Sequence, residues 1–129
     1  MRLFTLTLAL SAAKAAEMRT WLRARLRENQ VPQSASDEIV LGAEEAFALA
    51  LRHCSRECET VLRVSMLDDD LYLTISDNGL GPNPSAQRGN RLGLALLRRL
   101  MDEVQLQASD DGVVVRLVKR HVMKQTAAA

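Results

Sequence analysis

Residues 74–97 have the sequence TISDNGLGPNPSAQRGNRLGLALL, in which an apolar strand and an apolar helix flank two clusters of glycines. The first cluster lies in Asp77-Asn78-Gly79-Leu80-Gly81, and the second consists of Gly89 and Gly93. Glycine permits a positive φ and has no Cβ to hold a ligand away from the backbone. The free N–H groups at a helix N-terminus suit phosphate. The stretch predicts either a phosphate-bearing ligand close to the backbone or an ordinary strand–turn–helix connection.

Asp77 supplies an acidic group at the end of the strand, where its carboxylate can accept hydrogen bonds from an amino group. Two better-known glycine loops do not match. The chain has no G-x-x-x-x-G-K-[ST] phosphate loop. No G-x-G-x-x-G opens a helix within a strand–helix–strand unit that is followed by an acidic residue at the right distance. These two classes of phosphate site are therefore excluded.

Length and composition narrow the class of protein. A chain of 129 residues is typical of one domain with a real core. A net charge of +1 and 3% aromatic residues provide neither the basic surface nor the stacking platforms of a nucleic-acid-binding protein. The hydrophobic fraction of 47% excludes a disordered chain. Because no apolar run reaches the roughly 18 residues of a membrane span, we expect neither nucleic acid nor membrane as a partner.

The N-terminus allows two interpretations. Met1-Arg2 and the apolar run from Leu3 to Ala13 resemble a short signal peptide, with Ala13-Lys14-Ala15 as a weak cleavage site. The segment Arg2–Leu8 instead alternates with period two, as a strand does. We favour the strand, because the amino-terminal region has one charge and threonines interrupt the apolar run.

Two cysteines, Cys54 and Cys58, stand four positions apart. No second pair of ligands accompanies them, so a zinc site is not indicated. We predict structural or incidental thiols, which fit a reducing compartment and a cytoplasmic protein.

The apolar periodicity predicts the order strand, helix, helix, strand, strand, glycine loop, helix, strand, strand. The predicted strands are 2–9, 60–67, 71–76, 104–108 and 113–118, and the predicted helices end near residues 29, 54 and 102. Ser11 is the expected cap of the first helix, and Ser34 or Ser36 of the second. One mixed, mostly antiparallel sheet with helices on one face would bury every apolar stripe, which predicts an α+β two-layer sandwich. We expect a single domain over residues 1–120 and a polar tail over residues 121–129.

Each predicted helix carries an apolar stripe expected to face the core. The three stripes are Ala15, Met18, Leu22 and Leu26; Ala43, Ala46, Phe47, Ala50 and Cys54; and Leu92, Leu96 and Leu100. On the second helix, Glu45, Leu49 and His53 form a separate row. Three arginines line another face of the first helix, interpreted as solvated: Arg19, Arg23 and Arg27.

Three segments together resemble the sequence boxes of the histidine-kinase-like (GHKL) ATP-binding fold. Residues 45–53, EAFALALRH, are similar to its first box, Glu-Ala-x-x-Asn-Ala-x-x-His. Asp77–Gly81 is similar to its Asp-x-Gly-x-Gly box, and residues 89–94, GNRLGL, to its Gly-x-Gly-x-Gly-Leu box. Order and spacing match, and the resemblance spans residues 3–118. The small size and short loop are most similar to the anti-sigma factor serine kinases, bacterial regulators that bind a sigma factor and use ATP to phosphorylate a serine on an anti-sigma antagonist.

The resemblance implies ATP as the cofactor and a role for each matching residue. Asp77 would bind the adenine amino group, and Gly79 and Gly81 would shape the nucleotide wall. The phosphates would be bordered by residues of the third box: Gly89, Arg91, Leu92 and Gly93. Glu45 would be the general base that activates the partner's serine hydroxyl. The alternative for Glu45 is an ordinary solvated position on its helix.

Two positions depart from the family pattern. The asparagine that binds magnesium in the family is Leu49 here, and no asparagine occurs between Val31 and Leu73. Leucine has no oxygen for magnesium, so Mg²⁺ is doubtful. The middle glycine of the third box is Arg91, which either fits poorly or contacts phosphate directly. His53 matches the last position of the first box, where we expect a packing or helix-end role rather than chemistry.

Three functions follow from the resemblance. The first is an ATP-dependent serine kinase of the anti-sigma type, with a sigma factor or an anti-sigma antagonist as partner and a possible homodimer. The second is a catalytically degenerate module of the same fold that regulates its partner by contact. The third is a detached histidine-kinase ATPase domain, against which the short loop and the lack of room for a phosphoacceptor helix pair argue.

Overall fold

A computed structural model describes residues 2–54, 58–77, 90–109 and 112–123. The sheet contains five strands, and three α-helices accompany it, together with a short 3₁₀ turn at Ala12–Lys14. The strands are β1 (Arg2–Ala9), β2 (Glu59–Leu67), β3 (Asp70–Asp77), β4 (Glu103–Ser109) and β5 (Gly112–Lys119). The helices are α1 (Ala15–Glu28), α2 (Gln33–His53) and α3 (Asn90–Leu100). The predicted order of strands and helices is confirmed, including the strand at residues 2–9. The predicted glycine loop lies outside the described residues.

The strands form one sheet in the order β1-β2-β3-β5-β4. All four neighbouring pairs are antiparallel, so the parallel contribution that we expected in a mixed sheet is missing from the described pairings. Both predicted hairpins, β2–β3 and β4–β5, are present. The register places Thr60 of β2 opposite Asp77 of β3, so the start of β2 lies beside the end of β3.

One face of the sheet is buried and the other is open. Alternate residues of the central strands are buried, and the residues between them are half-buried or exposed, as period-two geometry requires. Helix α2 packs over β3 and β5, with α1 on its β1 side and α3 on its β4 side. The α+β two-layer sandwich predicted from the sequence is therefore confirmed. In the described residues, no helix is long and apolar enough to cross a membrane.

The apolar stripes of the first two helices face this core. Met18, Leu22 and Leu26 of α1 are almost completely buried, as are Ala43, Ala46, Phe47 and Ala50 of α2. The predicted serine caps are wrong in detail. Ser11 precedes the 3₁₀ turn without a capping side-chain hydrogen bond, and α2 begins after Pro32, which leaves Ser34 and Ser36 inside the helix.

The predicted stripe of α3 is wrong at Leu92, whereas Leu96 and Leu100 are partly buried and Leu100 packs against the core. Leu92 is 82% exposed, whereas Leu97 is completely buried and Met101 is 5% exposed. The helix is rotated relative to the prediction, and Gly93 lies against α2, where an added Cβ would collide with Glu45 Oε1. Leucines cover several sides of this short helix, so the sequence pattern alone left its rotation ambiguous.

The α1 arginines lie on a solvated face, as expected: Arg19 and Arg27 are exposed and Arg23 is partly exposed. Arg19 and Arg23 reach across to α2, where Arg19 Nη1 lies 2.7 Å from Glu44 Oε1 and Arg23 Nη1 lies 3.0 Å from Asp37 Oδ1. These pairs are largely solvent-exposed, so each contributes at most about 1 kcal/mol. They join α1 to α2 at the surface and add little to the free energy of unfolding.

The expected free thiols are also wrong, because Cys54 and Cys58 form a disulfide. Helix α2 ends at His53, and Cys54 has extended backbone angles, so the two cysteines do not lie on successive turns of one helix. The bridge joins the end of α2 to the residue before β2. The expected reducing compartment, which rested on free thiols, loses that support.

Strand β5 ends at Lys119, one residue beyond the predicted end of that strand. The Lys119 side chain is buried, donates to Leu100 O at 2.6 Å at the end of α3, and pairs with the Glu38 carboxylate of α2. Beyond it, Val122 is completely buried and its N–H donates to Asp69 O at 2.9 Å. The division into a domain over residues 1–120 and a tail over 121–129 stays a prediction.

Candidate functional site

Asp77 lies at the end of β3, near the middle of the sheet. Its Oδ1 accepts a hydrogen bond from the backbone N–H of Val113 on β5 at 3.2 Å. On the other side, Thr60 Oγ1 donates to Ser76 O at 2.9 Å. The Val113 N–H thus orients this half-buried carboxylate at the end of the central strand, where the glycine stretch begins.

His53 lies close to Asp77, at the end of α2. The His53 residue is 8% exposed. Burial lowers the pKa of its imidazole, the Asp77 carboxylate acts in the opposite direction, and the Arg52 guanidinium lowers the pKa further. The neutral imidazole is favoured in the folded protein, which agrees with the packing and helix-end role expected for His53.

Glu45 and Gly93 bring the first and third boxes into direct contact. A Cβ added to Gly93 would collide with Glu45 Oε1, so the glycine permits the carboxylate to lie against the α3 backbone. The Glu45 side chain is 23% exposed, and its Oε1 lies 3.4 Å from Arg52 Nη2. Glu45 is therefore a partly enclosed carboxylate between two helices, unlike an ordinary solvated residue on a helix surface.

Leu49 lies one turn beyond Glu45 and is completely buried in the core. Its side chain has no oxygen or nitrogen to offer to a metal. In the part of the chain that the structure describes, no group of three or more His, Cys, Asp or Glu side chains could hold a metal ion. These residues do not fit the family's magnesium site.

The third box begins helix α3, which starts at Asn90. Arg91 has helical backbone, so this position does not need the positive φ that would have made arginine a poor fit. What its side chain contacts lies outside the described part of the structure. Leu92 points its side chain into solvent, so any part it plays at the phosphates would come from its backbone. Gly79, Gly81 and Gly89 lie outside the described residues.

Two participants were missed from the sequence. Arg52 stands seven residues after Glu45, a spacing that places both on one helix face two turns apart, and this signal was available. The Val113 N–H that orients Asp77 comes from a residue 36 positions away, and no local pattern marks it.

The class of protein follows from these elements. A carboxylate at the end of a central strand, a glycine-rich stretch after it, and a glutamate on a long helix facing the next helix define an α+β nucleotide-binding domain. The chain belongs to the histidine kinase-like ATPase domain family, whose model matches residues 8–119. Membership in this family implies ATP binding.

Comparison with individual proteins supports the same assignment. The nitrate/nitrite sensor protein NarX of Escherichia coli K12 is 35% identical over 68 residues, and so is NarX of Shigella flexneri. The match covers 53% of this chain but 11% of NarX, so the chain corresponds to a small part of that protein.

Two solved structures share the fold. The RsbU and RsbW domains of Rv1364c from Mycobacterium tuberculosis match with a TM-score of 0.76 and 21% identity, over 93% of this chain and 32% of that one. The blue-light activated histidine kinase EL346 of Erythrobacter litoralis matches with a TM-score of 0.60 and 24% identity, over 74% of this chain and 33% of that one. At these identities the likeness establishes the fold alone.

Proposed function

We propose that this chain is an ATP-binding regulatory domain that transfers phosphate to a serine of a partner protein, as anti-sigma factor serine kinases do. The observation that carries the proposal is the placement of Glu45. Its carboxylate lies at the contact of α2 with α3, 23% exposed and held beside Gly93 of the third box. A base for a protein hydroxyl must be near the phosphates and also reachable from outside.

In the proposed reaction, Glu45 accepts the proton of the serine hydroxyl as the serine oxygen attacks the γ-phosphorus. The new O–P bond forms while the bond to the leaving ADP oxygen breaks. Asp77 binds the adenine amino group and so sets the position of the nucleotide. Gly79, Gly81 and Gly89, with the start of α3 at Arg91, Leu92 and Gly93, form the wall and the phosphate border.

The proposed partners are a sigma factor, an anti-sigma antagonist, or both, in the cytoplasm. The fold shared with the RsbW domain supports this choice, as does the short connection between the second and third boxes. A homodimer is part of the same proposal.

The test compares Glu45→Gln with Glu44→Gln, a neighbour on the same helix that pairs with Arg19 instead. Both variants lose one negative charge. Removing a general base lowers ATP hydrolysis and serine transfer by roughly 10²- to 10⁴-fold, while ADP affinity stays unchanged. Equal loss of ADP affinity and turnover in Glu45→Gln, or equal effects in both variants, would contradict the role of Glu45 as base.

A second candidate is a non-catalytic module that regulates its partner by contact. The burial of Leu49 at the position of the metal ligand favours it, because phosphoryl transfer in this family relies on positioning by a metal. Nucleotide binding without measurable hydrolysis or transfer in the unmodified protein would select this candidate. The match to NarX and the fold of EL346 support the third reading, a histidine-kinase ATPase domain, which predicts transfer to histidine rather than serine.

A further inference from the structure

A disulfide connects the end of helix α2 to the start of strand β2. It joins Cys54, which follows α2, to Cys58, which precedes β2, with a sequence separation of 4. Cys54 is half-buried, whereas Cys58 is 5% exposed, so a reductant reaches the bridge from the Cys54 side. The backbone ties the same point to the end of β1, because Leu10 N–H donates to Cys58 O at 2.8 Å. The bridge therefore fixes the end of α2 to the sheet.

The two elements that the bridge joins both lead to Asp77. On one side, His53 is the last residue of α2, and the charge of the Asp77 carboxylate acts on its imidazole. On the other side, Thr60 of β2 lies opposite Asp77 of β3, and its Oγ1 donates to Ser76 O at 2.9 Å. The disulfide therefore lies beside the end of the candidate nucleotide site that contains Asp77.

The bridge closes a short loop, and the stabilisation from a cross-link grows with the length of the loop that it closes. Its local effect is on the last turn of α2, where Cys54 N–H donates to Leu51 O at 3.2 Å and the helix goes no further. Helix ends are among the parts of a fold that open most readily. The proposed function also places the chain in a reducing cytoplasm, where the disulfides that form are usually transient and either catalytic or redox-sensing. Opening this bridge would therefore act on the site more than on the whole fold.

We propose that the Cys54–Cys58 disulfide is a redox switch of nucleotide binding. The closed bridge holds the Asp77 end of the site in its binding geometry, and reduction lowers the affinity for ADP and ATP. The inference rests on the nucleotide site proposed above.

The reductant of this switch is a dithiol, which supplies two electrons. One of its thiolates attacks the Cys54 sulfur, the S–S bond breaks, and Cys58 leaves as a thiolate that takes up a proton. The second thiolate of the reductant then displaces Cys54, which is protonated in turn. The protein gains two thiols, and the reductant becomes a disulfide.

The experiment is calorimetric titration of the full chain with ADP, before and after reduction by dithiothreitol. A thiol assay counts the free cysteines in each state, and circular dichroism checks that the fold is kept. The Cys54→Ala/Cys58→Ala double variant keeps the bridge permanently open. Val40→Ala is the matched control, because Val40 is 2% exposed in the first half of α2 and its truncation destabilises the fold away from the bridge. A second measurement follows the reduction of the bridge in glutathione buffers, with and without saturating ADP.

We expect reduction to weaken ADP binding roughly tenfold, because apparent affinity falls with the fraction of molecules that keep the binding arrangement. Oxidation of the same sample should restore the affinity. The double variant should bind ADP like the reduced protein and should not respond to dithiothreitol. Val40→Ala should bind ADP like the unmodified protein in each redox state. Because coupling is reciprocal, saturating ADP should make the bridge about tenfold harder to reduce, a shift of about 30 mV for a two-electron couple.

Several results would overturn the inference and leave the nucleotide site standing. Equal ADP affinity in the oxidised and reduced protein, or a double variant that binds as tightly as the oxidised protein, would reject the switch. Equal weakening of ADP by Val40→Ala would assign the effect to the stability of the whole fold. Two free thiols in the oxidised sample would show that the bridge does not form. If neither redox state bound ADP, the proposed ATP-dependent function would fail along with the inference.

Discussion

The Glu45 carboxylate lies against the backbone of Gly93, so closely that a Cβ at position 93 would collide with Oε1. This contact joins the middle of α2 to the first half of α3. The atoms nearest to an added Cβ at position 93 belong to Glu45 and Arg52, not to core residues. A small substitution there can separate the effects on the site from the effects on stability.

Gly93→Ala tests that separation. The colliding atom is the end of a flexible side chain, and alanine favours a helix over glycine by about 0.5–1 kcal/mol, so the free energy of unfolding should change by no more than about 1 kcal/mol. ADP affinity should fall roughly tenfold, because the added methyl narrows the proposed phosphate border at Gly93. Denaturant unfolding and ADP titration measure the two quantities.

The matched control is Gly42→Ala in α2. There the added Cβ would meet the terminal methyl of Met101, again the end of a flexible side chain, but outside the candidate site. Its ADP affinity should be unchanged. If both variants bind ADP like the unmodified protein, the Glu45–Gly93 contact has no part in nucleotide binding.

Leu49→Asn restores the asparagine that binds the metal in the family, but at a completely buried position. The change removes apolar volume and places an amide in the core. We expect a loss of about 2–5 kcal/mol in the free energy of unfolding and no gain in Mg²⁺-dependent hydrolysis. Leu49→Met, which keeps the volume, should cost less than about 1.5 kcal/mol. A stable Leu49→Asn protein with Mg²⁺-dependent turnover would contradict this prediction and show that the missing asparagine was the sole defect of the magnesium site.

Reduction of the Cys54–Cys58 disulfide should destabilise the protein moderately. The sequence separation is 4, and the chain-entropy relation for so short a loop gives about 2 kcal/mol. Urea unfolding with and without a reductant measures the difference. The Cys54→Ala/Cys58→Ala double variant serves as the control and should not respond to reductant. If the reductant lowered the free energy of unfolding equally in both proteins, the loss could not come from the disulfide.

His53 should make stability fall as the solution becomes acidic. Because burial lowers the pKa of His53 in the folded protein below its ordinary value of 6.5, the unfolded chain binds the proton first as pH decreases. The contribution is therefore complete above pH 6.5 and is lost as pH falls from there through the folded pKa. Urea unfolding at a series of pH values should show this decrease. His53→Gln should flatten it, whereas His121→Gln, at an exposed position, should not.

Much of the fold follows from local patterns. Period-two alternation places the strands, and the apolar stripes of α1 and α2 place those helices against them. These patterns are repeated over many residues, so one ambiguous position does not change them. Helix α3 shows the limit: leucines lie on several of its sides, and packing against α2 through Gly93 selected the side that left Leu92 in solvent.

The sequence also determined which residues are candidates for chemistry, because Glu45, Asp77 and the glycines stand at recognisable spacings. Only the tertiary structure decided what surrounds them. It brought Gly93 beside Glu45 and Arg52, joined Val113 N–H to Asp77, buried Leu49 and closed the disulfide. Contacts across the α2–α3 and β3–β5 boundaries depend on how whole elements pack, and residue spacing within one element carries no information about that packing.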